Sequence, residues 1–249
     1  MTSSELNEFL LSKADQFESL SFIADDPISI PHQFKQKEDI EIIGLLVATI
    51  AWGNRKSIIK SGNKLVTIFG ESPYDYIMNY NPTRRIDFVH RTFSGEDLVF
   101  FIQALKTIYE GGGLETVFKK SASEGIEIAI SNFRNVMLET PHLTRSTKHI
   151  SNPMINSACK RINMYLRWMV RSNAHGVDFG IWKTLSPKDL HIPLDVHTGN
   201  IARKLGILER TQNDWKSSQQ LHEFAKELIP DDPSKLDFAL FGLGAIENF

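Results

Sequence analysis

The stretch 193–208, Pro-Leu-Asp-Val-His-Thr-Gly-Asn-Ile-Ala-Arg-Lys-Leu-Gly-Ile-Leu, decides how the rest of the chain is read. Pro193 keeps Leu194 out of helical geometry, and apolar residues at helical spacing begin at Val196. Asp195 therefore sits at the N-cap of a short amphipathic helix that runs to Leu205 and stops at Gly206. Upstream, the polar stretch 151–157, Ser-Asn-Pro-Met-Ile-Asn-Ser, leads into a second helix over 156–171. Asn156 or Ser157 is its expected cap, which puts Lys160 in the first turn. A carboxylate and an amine thus open two helices.

Helical periodicity continues outward in both directions. Ile40, Ile43, Leu46, Val47 and Ile50 form one apolar stripe, and Ile58, Ile59, Leu65, Val66 and Phe69 form another that ends at Gly70. Leu98 to Tyr109, Ile126 to Met137, Leu221 to Leu228 and Pro233 to Glu247 read the same way. Alternating strand patterns bounded by Asn-Gly or Asp-Gly turns are absent, so the expected fold is all-α. Breaks at 27–36, 79–85, 111–113 and 186–193 have the composition of loops rather than of domain linkers.

The 249 residues suit one large domain or two interlocked lobes. A formal charge of −2 excludes a uniformly basic, histone-like binder, yet the cations are clustered. No acid occurs between Glu139 and Asp178, where Arg145, Lys148, Lys160, Arg161, Arg167 and Arg171 lie, and Lys56, Lys60 and Lys64 repeat along one helix face beside Arg55. Such tracts are either solvated faces or a phosphate-binding surface. The single cysteine, Cys159, excludes an intrachain disulfide and a cysteine-ligated iron–sulfur cluster, and reads as a small core residue. No His-Glu-x-x-His or similar spacing predicts a metal, and no cofactor is expected. The N-terminus lacks a secretory signal, and the longest apolar run, Ile42 to Trp52, falls short of the roughly 20 residues of a membrane span. A soluble, cytoplasmic protein with no membrane partner is the expectation.

Two readings of the acid and the amine stand side by side. Asp195 is either a helix cap alone or a fixed carboxylate that faces a developing sugar cation. Lys160 is either a surface contact to phosphate or an amine held against the positive end of a helix dipole, which favours its uncharged, nucleophilic form.

Pro193-Leu194-Asp195-Val196-His197, with Ile201-Ala202 and Arg203-Lys204-Leu205-Gly206 after it, resembles the catalytic-aspartate segment of the helix-hairpin-helix (HhH-GPD) DNA glycosylases. It is most similar to the 8-oxoguanine branch of archaeal type, in a form shared with uncharacterised bacterial proteins. The lysine that opens the preceding helix in bifunctional members corresponds to Lys160. The hairpin is degenerate: Asn152-Pro153-Met154-Ile155-Asn156-Ser157 lacks both glycines that let backbone N–H groups approach a phosphate.

The resemblance implies two helical lobes, one over 38–150 and one built from 1–37 plus 151–249, with Lys160 and Asp195 in the cleft between them. It implies a base-excision DNA repair glycosylase, with or without lyase activity, whose partner is double-stranded DNA carrying a damaged base such as an oxidised purine. A monofunctional enzyme using Asp195 and water, and a catalytically silent nucleic-acid-binding module, are the alternatives. Ile50-Ala51-Trp52-Gly53-Asn54 corresponds to the turn whose polar residue enters the space left by an extruded base, which assigns Trp52 and Asn54 there unless Asn54 is only a helix cap. Asp237 and Phe241 correspond to a base-edge contact and a stacking ring, unless Phe241 is core. Lys56, Lys60, Lys148, Arg161 and Arg167 are the expected phosphate contacts. His197 joins them or is a buried structural histidine.

Overall fold

The computed structural model describes residues 2–247 and 249. Among them the chain forms twelve α-helices, several short 3-10 turns and one two-stranded antiparallel hairpin. The hairpin pairs β1 (Val89–His90) with β2 (Phe93–Ser94), two residues each in a molecule that is otherwise helical, in keeping with the all-α reading. Strands of two residues are too short to show alternation in a sequence.

The chain folds as two compact units, residues 1–22 with 152–249 and residues 23–151. The first contains α1 (Ser3–Phe17), α9 (Lys160–Val170), α10 (Val196–Lys204), α11 (Trp215–Leu228) and α12 (Leu236–Ala245). The second contains α3 (Lys37–Ile50), α4 (Arg55–Phe69), α5 (Pro73–Met78), the hairpin, α6 (Gly95–Glu110), α7 (Leu114–Ala122) and α8 (Ile126–Leu138). The four-residue α2 (Leu20–Ile23) carries the boundary.

Residues 23–37, expected with the terminal lobe, belong instead to the unit 23–151. Ile28 and Ile30 are fully buried, and the 3-10 turn Pro27–Ser29 packs on α3 and α4. Ile30 lies so close to Gly62 of α4 that a Cβ there would come within 2.8 Å of it. Every residue of α3 from Asp39 to Ile50 is buried, so this helix is a central rod rather than the one-striped surface helix its periodicity suggests. Its two buried acids are satisfied, Asp39 by the Tyr74 N–H at 2.8 Å and Glu41 by the Tyr109 hydroxyl at 2.7 Å.

In the other unit, α1 is held by a capping box of Thr2 and Glu5 and buries Leu10, Ala14 and Phe17. Those side chains pack on α12, where Gly242 lies under the Phe17 ring and leaves no room for a side chain. Leu194, Ile201, Leu221, Leu236, Leu240 and Leu243 complete the same core. This core packs α10 on α12, with His197 and Ile201 of α10 against Gly244 near the end of α12. Among the described residues, no helix is long and apolar enough to cross a membrane.

Candidate functional site

Asp195 caps α10 as its sequence position requires: the backbone is extended and the carboxylate accepts the Thr198 N–H at 2.9 Å. The start of α9 is built differently. The helix begins at Lys160 itself, after Cys159, a buried residue in the left-handed conformation (φ 52°) whose side chain makes no capping bond. Asn156 and Ser157, the expected caps, lie in the connection before it.

Both helix starts are stitched to one dipeptide that the sequence reading passed over. Asn213 Nδ2 donates to the Asp195 carbonyl at 2.8 Å, and its Oδ1 accepts from Arg203. Asp214, the N-cap of α11, accepts the Ser217 N–H at 2.9 Å and Asn156 Nδ2 at 3.0 Å. Asn156 in turn accepts the Trp215 N–H at 3.2 Å through its carbonyl. The Arg210 guanidinium holds the Asp214 carboxyl well below the usual carboxylate range. The available signal was an Asp just before an apolar helical run, the same signal that revealed Asp195.

Asn156 itself is left-handed, with φ 64°. Asparagine tolerates that conformation better than other non-glycine residues, so this hairpin closes without the glycines of the resembling family. Met154 and Ile155 at its tip are exposed.

Asp237 is 6 % exposed on the first turn of α12 and faces Arg167 of α9. Arg167, seven residues after Lys160 and so on the same face of α9, donates to Asp237 Oδ2 through Nη1 and to Asp178 Oδ1 through Nε at 3.3 Å. Arg171, one turn further, donates to Asp178 at 2.5 Å, to Glu18 at 2.7 Å and bidentately to Asp232 at 2.7–3.0 Å. The two guanidinium groups lie 4.6 and 5.2 Å from the Phe238 ring centre. Burial disfavours the charge on Arg171, but Asp232, Asp178 and Glu18 outweigh it and raise its pKa.

Burial pushes the Asp237 carboxyl up to about 6, against the pull of Arg167. The charge of Asp195 pushes it the same way and that of Lys160 opposes. Lys160, Asp195 and Asp237 all belong to a single unit. Two buried oxygens one turn inside the helix starts, Asn163 Oδ1 on α9 and Thr198 Oγ1 on α10, lack a hydrogen-bond partner. Unsatisfied buried polar atoms are uncommon in folded proteins.

The remaining expected residues divide. Arg167 is 3 % exposed and spent on two carboxylates, so it is a buried strut and not a phosphate contact. Arg161 is partly buried, and burial lowers its pKa. His197 is exposed rather than buried, its ring edge-on to Phe241 at 6.4 Å. Phe241 is half-buried and also meets Phe22 at 6.0 Å; the fully buried ring of α12 is Phe238.

In the unit 23–151, Asn54 caps α4 by accepting the Ser57 N–H at 3.2 Å. Trp52 stacks on His149 at 5.8 Å and meets His90 edge-on at 5.3 Å. Beneath His149 lies Asp97, fully buried; burial opposes its charge, but bonds from Ser146 at 2.6 Å and Ser94 at 2.8 Å hold it below the usual carboxylate range. Arg145, from the same cationic tract as Lys148, is taken up by Asp97 and Glu96 at 2.9 Å each. Lys56, Lys60 and Lys148 remain on the surface. Among the described residues, no group of three His, Cys, Asp or Glu side chains is placed to hold a metal ion.

The molecule is thus a helical protein in which a lysine and an aspartate each open a helix of the same unit. The chain belongs to the family described as "Protein of unknown function (DUF2400)", which matches residues 26–246. No curated protein and no solved structure matches it.

Proposed function

We propose that the chain is a DNA glycosylase of the helix-hairpin-helix type, acting through Lys160 on a base extruded from duplex DNA. The observation that carries this reading is the placing of Lys160 and Asp195 at two helix starts of one unit that are tethered to the adjacent residues Asn213 and Asp214. Departure of a base from deoxyribose leaves positive charge on the sugar. A fixed carboxylate stabilises that charge more in the transition state than in the ground state. Lys160 attacks C1′ and the base leaves; opening of the sugar gives a Schiff base, from which β-elimination nicks the strand. Asp195, held by its cap bond and by Asn213, faces the sugar cation.

The exposed lysines of α4 supply phosphate contacts. An oxidised purine is the substrate class favoured by the resemblance. The test is a panel of duplexes carrying 8-oxoguanine, uracil, an alkylated purine or an abasic site, incubated with the protein and sodium borohydride. A covalent adduct at Lys160 with one of them is the expected result. Base release without an adduct would replace the lysine nucleophile by water, and neither product on any duplex would overturn the proposal.

A further inference from the structure

We propose that a cleft in the unit 23–151 binds a nucleoside monophosphate, with the phosphate on Arg84 and Arg85 and the base beside His142. The proposal is independent of Lys160 and Asp195, which belong to the other unit. The cleft has a volume of about 660 Å³, within the roughly 300–1,000 Å³ typical of small-molecule sites. It lies between the loop 82–86, the first half of α6 and the segment 141–143 that follows α8.

The walls define what fits. Ile86, Val99, Phe100 and Leu143 give the cleft an apolar lining. The His142 ring is tilted against that of Phe100, with centroids 5.1 Å apart, and its Nδ1 meets the Thr140 carbonyl at 2.7 Å. A carbonyl only accepts, so Nδ1 carries the hydrogen and Nε2 of the neutral ring is an acceptor. Gln103, half-buried on α6, lines the same cleft, and among the described residues its side-chain amide makes no hydrogen bond. A flat ring with a polar edge suits this lining: its faces cover apolar wall while its edge pairs with Gln103 and Nε2. An aliphatic ligand would leave both polar groups without partners.

The charge balance supplies the rest. Arg84 and Arg85 are exposed and, among the described residues, form no ion pair. Their loop is braced by its own bonds: Asn81 Oδ1 accepts the Thr83 N–H at 3.0 Å, the Asn81 carbonyl accepts the Arg84 N–H at 3.0 Å, and the Tyr80 hydroxyl donates to the Arg84 carbonyl at 2.7 Å. Glu96, the acid of the lining, is paired with Arg145 at 2.9 Å, so two positive charges remain uncompensated. A phosphomonoester carries about −1.5 to −2 at pH 7, which matches them. A single strand carries one charge per phosphate and is bound along a continuing track of cations. No such track leads from this cleft, because Arg145 is spent on Glu96 and Asp97 and the exposed residue just past Ile86 is Asp87. The ligand is therefore a separate monophosphate rather than a segment of nucleic acid.

The experiment is titration calorimetry of the full chain with AMP, GMP, CMP and UMP, with the four matching nucleosides, and with a single-stranded oligoadenylate. At least one nucleotide is expected to bind with a Kd below about 1 mM, and its nucleoside about 10-fold or more weaker. The double variant Arg84→Gln/Arg85→Gln changes only exposed side chains and should erase that difference, nucleotide and nucleoside then binding alike. Gln103→Ala should weaken both by about 3-fold or more, with the fold checked by circular dichroism. The proposal is overturned if no monophosphate binds, if nucleosides bind as tightly as nucleotides, or if the double variant keeps the advantage of the phosphate. It is equally overturned if Gln103→Ala changes nothing, or if the oligoadenylate binds more tightly than every mononucleotide.

Discussion

The starts of α9 and α10 do opposite things with the same local problem. Each leaves backbone N–H groups without helical partners. At α10 the problem is solved conventionally, by an aspartate that caps the Thr198 N–H. At α9 the preceding residue is a buried left-handed cysteine with no capping bond, and the first helical residue is a cation, the charge least suited to that end of a helix. A left-handed non-glycine residue costs on the order of 1–3 kcal/mol and persists only where the surroundings impose it. Here the surroundings are identifiable: Asp214 and the backbone of Trp215 grip Asn156, three residues before Cys159. One start is stabilised by its own aspartate; the other is held from outside in spite of its own lysine.

That asymmetry can be tested by breaking each start in turn. The largest effect is expected from the functional groups themselves. Lys160→Gln should abolish the borohydride-trapped adduct, and Asp195→Asn should cut the rate by about 10²-fold or more while leaving the fold intact. Single-turnover assays beside circular dichroism separate the two quantities. A trapped adduct that survives Lys160→Gln would show that the strained start of α9 serves something other than this amine.

Next in size is the strut behind the site. Arg167→Met leaves two buried carboxylates, Asp178 and Asp237, without their shared partner, a loss expected to cost about 3–5 kcal/mol in urea unfolding. A loss under about 1 kcal/mol would mean that α9 is fixed by its apolar packing alone. The smallest effect sharpens the comparison most. Asp195→Ala removes the cap and should cost about 1 kcal/mol of stability, whereas Asp195→Asn retains a capping acceptor and should cost less. If both variants unfold at the same denaturant concentration, the acid is not a cap in the energetic sense and its position has no structural explanation.

Which of these features could be read from the chain follows from how far apart the cooperating residues lie. Asp195 was legible because proline, acid and apolar period are contiguous. The main helices were legible for the same reason, although α1 was missed, since only Leu10, Ala14 and Phe17 are buried along its fifteen residues. The left-handed turn at Cys159 was not legible, because nothing local distinguishes a cysteine forced into that conformation from one in a strand or helix. Arg167 was misread for a related reason. The run from 140 to 177 has no acid, so its cations look solvent-facing, yet the carboxylates that claim Arg167 and Arg171 come from positions 18, 178, 232 and 237. Asp237 was marked by resemblance alone, and its bond to Arg167 is a tertiary fact. The grouping of 23–37 with the wrong unit was another case, since the burial of Ile28 and Ile30 depends on α3 and α4.

The pairing of α1 with α12 has a consequence for biosynthesis. Leu10, Ala14 and Phe17 are made before residues 23–151, and the surface that buries them, around Gly242, is made after. While residues 23–151 are being made α1 lacks its native neighbour, whereas that continuous stretch can fold on its own schedule. Asp237 lies on α12 as well, so a nascent chain stalled before residue 236 holds Arg167 without the carboxyl it engages in the folded unit.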